Sequence, residues 1–175
     1  MKRPEFLSHT QLTGFREEFG ITDDVFLVGI RGALKLASPD VNDRGIYDDA
    51  IYLINLLIPK TFNANVDPSR YAPGMAYLIP GVYEYRVGVH GLSKPKEKQY
   101  KALVQSKPVT IKRDGGIEET GWFGINIHKG GYSTTGSEGC QTIHPDQWIE
   151  FMNDVTVAMA AFHMKTIKYL LVDQT

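Results

Sequence analysis

The 175-residue chain lacks the features that mark several large classes of protein. Its single cysteine, Cys140, excludes an internal disulfide and a zinc site built from several cysteines. The 19 Lys and Arg and the 20 Asp and Glu leave a formal net charge of −1, which argues against bulk electrostatic binding of nucleic acid. The longest apolar run, residues 50–58, is interrupted by Asn55 and is shorter than the roughly 18 residues of a spanning helix. We therefore expect neither nucleic-acid binding nor membrane insertion.

The start of the chain also lacks the pattern of a secretory signal. Lys2 and Arg3 are basic, but the stretch behind them is polar rather than apolar. We therefore expect a protein that is made in the cytoplasm, without a signal peptide or a transmembrane segment. The length fits one domain over residues 1–175, in which residues 1–20 form a possible helical arm.

Hydrophobic patterning predicts a chain that is rich in strands. Residues 83–90 alternate between apolar side chains and polar or small ones, as a strand with one wet face does. Similar patterns predict further strands at 25–30, 50–58, 109–112, 123–128 and 167–172. Turn-forming or charged residues predict turns, loops or connectors at 38–45, 61–74, 94–98 and 114–116.

One long helix is predicted near the C-terminus. Its apolar residues are spaced four, three, four and three apart, at Trp148, Met152, Val155, Met159 and Phe162. Pro145 suits a first helical turn, and Asp146 is favourable near the positive end of the helix dipole. The sum of these elements is a β-rich α+β domain of mostly antiparallel, hairpin-linked strands with this one long helix.

The segment 121–142 carries the residue types that nucleophilic catalysis requires. Strand alternation places His128 at the end of its predicted strand, and a glycine-rich loop then leads to Cys140. A loop of this length is able to bring the thiol beside the imidazole. Cysteine attacks as a thiolate, and its ordinary pKa of about 8.5 leaves only a small fraction ionised at pH 7. A neighbouring imidazole would take the proton and later return it to a leaving amine.

Glycines around the cysteine leave room for backbone N–H groups to approach a developing oxyanion. The N–H groups of Gly139 and Cys140 are the candidate donors, and Ser137 is placed to support the loop. The group that orients His128 is left open by the sequence, because a backbone carbonyl, Asn126 or an acid would each serve.

Other polar residues are candidates for substrate binding. His90 ends the wet face of the strand at 83–90, where it would line a cleft with His128. Arg86 lies on the same face, and its guanidinium is able to bind a carboxylate through two hydrogen bonds. Tyr132 flanks the predicted site, and its ring would stack on a sugar or a peptide.

A zinc site is a weaker interpretation of the same region. Cys140, His144, His128 and His90 include the side-chain types that bind zinc. Their spacing shows no recognised ligand pair such as His-Glu-x-x-His. We therefore expect no metal and no cofactor.

The arrangement of His128, eight further residues and then Ser137-Glu138-Gly139-Cys140 resembles the signature of the L,D-transpeptidase catalytic-domain family. The resemblance covers about residues 121–148. It implies an L,D-transpeptidase-like sandwich or barrel, in which a cysteine attacks peptidoglycan stem peptides after activation by a histidine on a preceding strand. By that resemblance Cys140 is the nucleophile and His128 the base, and Gly139 and Ser137 match the positions beside the cysteine.

The sequence departs from the family pattern in three ways, one of which is that the spacing from the first histidine to the cysteine motif is commonly longer in the family than in this chain. The family usually has histidine at the position of Glu138, which makes this residue a further candidate for substrate binding. After the cysteine the family typically has an aliphatic residue and then Arg or Asn, where this chain has Gln141-Thr142. The shorter spacing and the Gly-Cys-Gln-Thr ending resemble divergent branches found in phage proteins and secreted antibacterial effectors.

The resemblance implies a cysteine peptidase or L,D-transpeptidase-like enzyme whose partners are peptidoglycan stem peptides. Water would resolve the acyl-enzyme as a carboxypeptidase or endopeptidase, and an amine would resolve it by L,D-transpeptidation. Without an export signal, action at the cell wall would follow release or injection of the protein. Two alternatives remain: a non-catalytic cell-wall-binding module of a phage or secretion particle, and a structural protein with a buried free cysteine.

Overall fold

The computed structural model describes residues 1–34, 43–55 and 59–173. Within these ranges the chain forms two α-helices, α1 (His9–Phe19) and α2 (Trp148–Ala161), and eleven strands. The strands are β1 (Val25–Arg31), β2 (Asp49–Asn55), β3 (Lys60–Asn65), β4 (Ala76–Leu78), β5 (Gly81–His90), β6 (Tyr100–Gln105), β7 (Val109–Arg113), β8 (Glu118–Gly121), β9 (Ile127–Lys129), β10 (Gln141–Ile143) and β11 (Ile167–Asp173).

Eight of these strands close into a barrel. Their order around the barrel is β1-β11-β5-β6-β9-β10-β3-β2, and β4, β7 and β8 form a separate three-stranded sheet. The pairs β1/β11 and β9/β10 are parallel, whereas the other pairs of the described strands are antiparallel. The expectation of a strand-rich α+β fold with mostly antiparallel strands and a helix near the C-terminus is thus confirmed at this level.

The core contains one face of α2 and alternate residues of the barrel strands. Phe62 of β3 meets Phe151 of α2 edge to face, with ring centroids 5.1 Å apart, and both side chains are fully buried. The buried residues of α2 are Trp148, Phe151, Met152, Val155, Ala158 and Met159. The predicted helix is confirmed, and it follows a 3-10 turn at Pro145–Gln147.

The N-terminal residues form an extended arm followed by α1. Ser8 starts the helix with a capping box, in which its side chain and that of Gln11 bond reciprocally to backbone N–H groups. In the arm, Arg3 forms an ion pair with Glu150 of α2, and its guanidinium lies 5.3 Å from the ring centroid of Phe62. The arm is therefore attached to the barrel and to α2.

The loop predicted at 61–74 is wrong in its first part, because β3 spans Lys60–Asn65. Asparagine is usual in turns, but here the amide groups are satisfied inside the fold. The Asn63 Oδ1 atom accepts a hydrogen bond from Gln147 Nε2 at 2.8 Å, and Asn63 Nδ2 donates to the Lys2 carbonyl at 3.1 Å. Partners distant in the chain thus allow polar residues to occupy a buried strand.

The strand predicted at 123–128 is wrong in its first part, because β9 begins only at Ile127 and places His128 in its middle. The backbone at Gly124 has φ +70°, which interrupts an extended strand. The three N–H groups of residues 123–125 donate to one atom, Gln105 Oε1, at 3.1–3.3 Å. A side chain of β6 thus replaces a strand partner, and β6 itself is not among the predicted strands.

The remaining predicted strands at 25–30, 83–90, 109–112 and 167–172 are confirmed, each within one or two residues of β1, β5, β7 and β11. The strand predicted at 50–58 is observed as β2 up to Asn55, and its last residues lie outside the described ranges, as do residues 38–42 of a predicted turn. Across residues 1–34, 43–55 and 59–173, no helix combines the length and the apolar content needed to cross a membrane.

Candidate active site

The parallel pair β9/β10 brings the cysteine and the histidine to one face of the barrel. Thr142 is paired with His128, and Gln141, paired with Ile127, donates its N–H to the Asn126 carbonyl at 2.9 Å. Continuing this register places Cys140 opposite Asn126. Paired residues of neighbouring strands share a face, so this register puts Cys140 and His128 on the same face.

The Cys140 thiol is held against the irregular segment that precedes β9. Its Sγ atom accepts a hydrogen bond from the Asn126 N–H and donates one to the Gly124 carbonyl, both at 3.4 Å. Burial raises the pKa of the thiol to about 11, and the nearby charge of Glu138 acts in the same direction. The side chain is only partly exposed, and at pH 7 it is a neutral thiol.

The His128 imidazole has a defined tautomer. Its Nδ1 atom lies 2.8 Å from the Lys129 carbonyl, and a carbonyl only accepts, so Nδ1 carries the hydrogen and Nε2 keeps its lone pair. The ring is 5% exposed, and burial together with the neighbouring His90 lowers the pKa of His128 to about 4. The Lys129 backbone carbonyl is therefore the orienting group that the sequence left open.

The nucleophile and the base are thus both uncharged at pH 7. Within the described part of the chain, Cys140 Sγ forms hydrogen bonds with backbone groups and none with the His128 ring. This favours proton transfer during attack rather than a preformed thiolate–imidazolium pair. Catalytic hydrogen bonds are often long in a site without substrate and shorten when substrate binds.

Ser137 fixes the loop that carries the cysteine. Its Oγ atom accepts a hydrogen bond from the Gly139 N–H at 3.0 Å and donates one to the Cys140 carbonyl at 2.6 Å. Its own N–H donates to Ser69 Oγ at 2.7 Å, which attaches the loop to the segment after β3. Because the Gly139 N–H is engaged by Ser137, the Cys140 N–H is the remaining candidate donor to an oxyanion.

Gly139 occupies a position that admits no side chain. Its φ is +146°, and an added Cβ would lie 2.7 Å from the Ala76 carbonyl oxygen and 3.0 Å from Ile125 Cδ1. The backbone of β4 thus packs directly against the nucleophile loop. The glycine before the cysteine is a requirement of packing as well as of any oxyanion site.

His90 lies next to the base. Its ring stacks on His128 with a centroid distance of 4.1 Å and an angle of 21° between the ring planes. Asn126 Nδ2 lies 3.2 Å from His90 Nδ1, and the Tyr100 ring centroid lies 5.4 Å from that of His90. Of the candidate substrate-binding residues, His90 is thus the one that the fold places against His128.

Sequence reasoning missed Tyr100, whose hydroxyl lies 3.4 Å from His128 Nδ1. The signal was weak, because Tyr100 begins β6 and faces His90 only through the β5/β6 register. Asn126 had a clearer signal: it stands two residues before His128 and so would share its face in an extended chain.

The other candidate residues lie further from the thiol or on the surface. Arg86 is exposed and on the same face of β5 as His90, four residues away. Tyr132 is 77% exposed, and its hydroxyl donates to Asp146. Glu138 is exposed beside the nucleophile, where its charge raises the pKa of Cys140.

The interpretation of these residues as a metal site has no geometric support in residues 1–34, 43–55 and 59–173. No group of three or more His, Cys, Asp or Glu side chains in these ranges is arranged to hold a metal ion. The histidines engage one another, backbone carbonyls and Asn126 instead.

No protein-family model, curated protein or solved structure matches this chain. The function of the site has therefore to follow from its own geometry and chemistry.

Proposed function

We propose that this chain is a cysteine acyl-transfer enzyme that acts on peptidoglycan stem peptides, with an L,D-transpeptidase-like fold and mechanism. The observation that carries the proposal is the parallel β9/β10 pair, which places Cys140 and an uncharged His128 on one face. A nucleophile, a base with a free nitrogen and a carbonyl that orients the base are the three parts that such chemistry requires.

The reaction begins with transfer of the Cys140 proton to His128 Nε2 while Sγ attacks an amide carbonyl of the substrate. The Lys129 carbonyl keeps the other ring nitrogen protonated and stabilises the imidazolium that forms. The Cys140 N–H donates to the developing oxyanion. As the tetrahedral intermediate breaks down, the C–N bond breaks, the leaving amine takes the proton from the imidazolium, and a thioester remains on Sγ.

The second half-reaction regenerates the thiol. A water molecule or an amine gives a proton to His128 and attacks the thioester, and the Cys140 thiolate leaves and is reprotonated by the imidazolium. Water yields a carboxypeptidase or an endopeptidase, and an amine yields a transpeptidase. Stem peptides as substrate are supported by the resemblance of the segment from His128 to Cys140 to the family signature. Action at the cell wall after release or injection is part of the same proposal.

The test is incubation of the wild type with purified peptidoglycan and isolated tetrapeptide stems at several pH values, followed by mass spectrometry. The matched control is Cys140→Ser, which keeps the size of the side chain and the hydrogen bonds to Gly124 and Asn126. A cysteine-dependent loss of a residue or a cut cross-link indicates hydrolysis, and a cysteine-dependent exchange indicates transfer. Identical spectra for the two proteins at every pH would contradict the catalytic proposal for this substrate.

A second candidate is a non-catalytic module that binds the cell wall. The observation that favours it is the pKa of about 11 for the Cys140 thiol, which leaves little thiolate at pH 7. This candidate predicts that wild type and Cys140→Ser sediment equally well with insoluble peptidoglycan and leave it chemically unchanged. Binding with cysteine-dependent turnover would exclude it.

A further inference from the structure

The rings of two histidines from distant parts of the sequence stack on each other in the candidate site. His90 ends β5 and His128 lies in β9, and their ring centroids are 4.1 Å apart with the planes tilted by only 21°. At this distance two imidazolium charges would repel each other strongly in a partly buried setting. At most one of the two rings is therefore readily protonated.

Small residues make room for this contact. On β5, Gly88 is paired with Ala102 of β6, and the β6/β9 pairing of Leu103 with Ile127 places Ala102 beside His128. An added Cβ at Gly88 would lie 2.5 Å from Val104 Cγ2, so the position is closed to larger side chains. On β6, the strand between β5 and β9, the residue beside His128 is therefore the small Ala102, which leaves room for His90 to reach the His128 ring.

Asn126 fixes the orientation of the His90 ring. Its Nδ2 atom is a donor, so His90 Nδ1, 3.2 Å away, is the acceptor and the ring hydrogen is on Nε2. The backbone N–H of the same asparagine donates to Cys140 Sγ at 3.4 Å. A single residue thus connects the His90 ring with the nucleophile.

We propose that His90 is a positioning residue of the base: its ring, oriented by Asn126, seats the His128 imidazole and holds it in the uncharged form that accepts the thiol proton. This role rests on the proposed function, because it gives His128 the part of the general base. It differs from a role in substrate binding, since His90 acts through the ring of His128 and not on the substrate.

The charged and titratable groups around the pair support this assignment. Tyr100 of β6 contacts both rings, and Lys94 of the β5–β6 connector lowers the pKa values of both His90 and His128. The Lys129 carbonyl acts in the opposite direction on His128, and Cys140 is a neutral thiol near pH 7. The net effect of burial and neighbouring positive charge is a base that stays neutral well below pH 6.

The test measures the titration of the His128 ring by NMR in the wild type, His90→Phe and His90→Ala. The phenylalanine variant keeps a flat ring over His128 but removes the titrating group and the acceptor for Asn126. We expect the pKa of His128 to rise from about 4 by roughly one pH unit in His90→Phe, and further in His90→Ala, where water also reaches the ring. His9→Ala, an exposed histidine of α1, is the matched control and should leave the titration unchanged.

The pH profile of cysteine-dependent turnover gives a second readout. The acidic limb should move to higher pH in His90→Phe, so that turnover at pH 4.5, expressed relative to the same protein's turnover at pH 7, falls about threefold below the wild-type ratio. An unchanged His128 titration in both His90 variants would overturn the positioning role, whatever the activity. An absence of turnover in the wild type, with the shifted titration still observed, would instead contradict the proposed function alone.

Discussion

Two regions of the barrel contain titratable groups away from bulk water. The groups of one region are charged and paired, whereas those of the other are neutral. In the first, Arg31 donates to Asp67 at 3.0 Å, to Asp173 at 2.6 Å and to the Leu78 carbonyl, so its charge is fully paired. In the candidate site, by contrast, His128 is buried and Cys140 is half-buried, and both are neutral groups with backbone partners. Paired charges fix a structure, whereas neutral titratable groups remain able to gain or lose a proton in a reaction.

The charge-paired region, which consists of Arg31, Asp67 and Asp173, should lose the most stability in the variant Arg31→Met. This change leaves Asp67, whose side chain is fully buried, without its guanidinium partner. We expect a loss of about 3–5 kcal/mol in the free energy of unfolding, because removing one member of a buried ion pair is strongly destabilising. Urea denaturation at pH 7 measures it.

The matched control for Arg31→Met is Arg113→Met. Arg113 forms an ion pair with Glu119 at 2.9 Å, but both side chains are more than a third exposed. Solvent screening limits the expected loss to about 1 kcal/mol or less. Equal losses in the two variants would show that the Arg31 network contributes no more to the free energy of unfolding than an exposed ion pair does.

The candidate site, in which His128 is neutral, should make the stability of the protein depend on pH. The pKa of His128 is about 4 in the folded protein and about 6.5 when unfolded, so between these values the unfolded state binds more protons. Stability from this group is fully present above pH 6.5 and is lost as pH falls to 4, by roughly 3 kcal/mol in total. Urea denaturation across this window should give a flatter profile for His128→Gln, and parallel profiles would refute the assignment.

The packing of the nucleophile loop is tested by Gly139→Ala. The added Cβ would meet the Ala76 carbonyl at 2.7 Å, so we expect a loss of about 2 kcal/mol and loss of cysteine-dependent turnover. Gly116→Ala, where an added Cβ has ordinary contacts of 3.4 Å or more, should change stability by less than about 0.5 kcal/mol. Thermal unfolding and the stem-peptide assay measure both variants. Equal stability and equal turnover of the two variants would contradict the tight packing of the loop at Gly139.

The smallest expected effect has the opposite sign and concerns Asp48, a buried carboxyl beside the charge-paired region. Among the described residues its Oδ1 atom has no hydrogen-bond partner, and burial, with Asp43 and Asp67, raises its pKa to about 6. In the folded state this group binds more protons between pH 3.8 and 6, so its contribution is favourable in acid and is lost as pH rises through 6.

Asp48→Asn should therefore stabilise the protein at pH 7, by about 1 kcal/mol, and this gain should shrink towards pH 4. The control is Asp114→Asn, since the Arg44 partner holds the pKa of Asp114 below its usual range and the same change should destabilise the protein. Denaturation of both variants at pH 7 and pH 4 shows whether each change stabilises or destabilises the protein. A destabilised Asp48→Asn at pH 7 would contradict the prediction.

Much of the fold could be predicted because its signals are local. The alternation along 83–90 and the helical spacing from Trp148 to Met159 each follow from burial of one face, and β5 and α2 confirm them. The failures lie where a distant side chain replaces local structure. Gln105 captures the N–H groups of residues 123–125, and Gln147 satisfies Asn63 inside β3.

The candidate site divides in the same way. The residue types of His128, Gly139 and Cys140, and their order, are properties of the chain, and they were sufficient to predict a nucleophile and a base. The orienting carbonyl of Lys129 and the ring contact with His90 depend on which strands become neighbours in the barrel. Strand neighbours separated by tens of residues leave no local pattern, because the backbone pairing is nearly independent of side-chain identity.

The residues of the chain are therefore enough to establish which chemistry is available: one thiol, a histidine on the strand before it, a glycine-rich loop, and the alternation that builds a strand-rich fold. The positions of these groups and their pKa values, however, depend on the tertiary structure. Parallel pairing of β9 with β10 brought the two groups to one face, and burial raised the pKa of Cys140 and lowered that of His128. The reason is physical: desolvation and ring stacking depend on what packs around a group, and that is fixed only when the barrel closes.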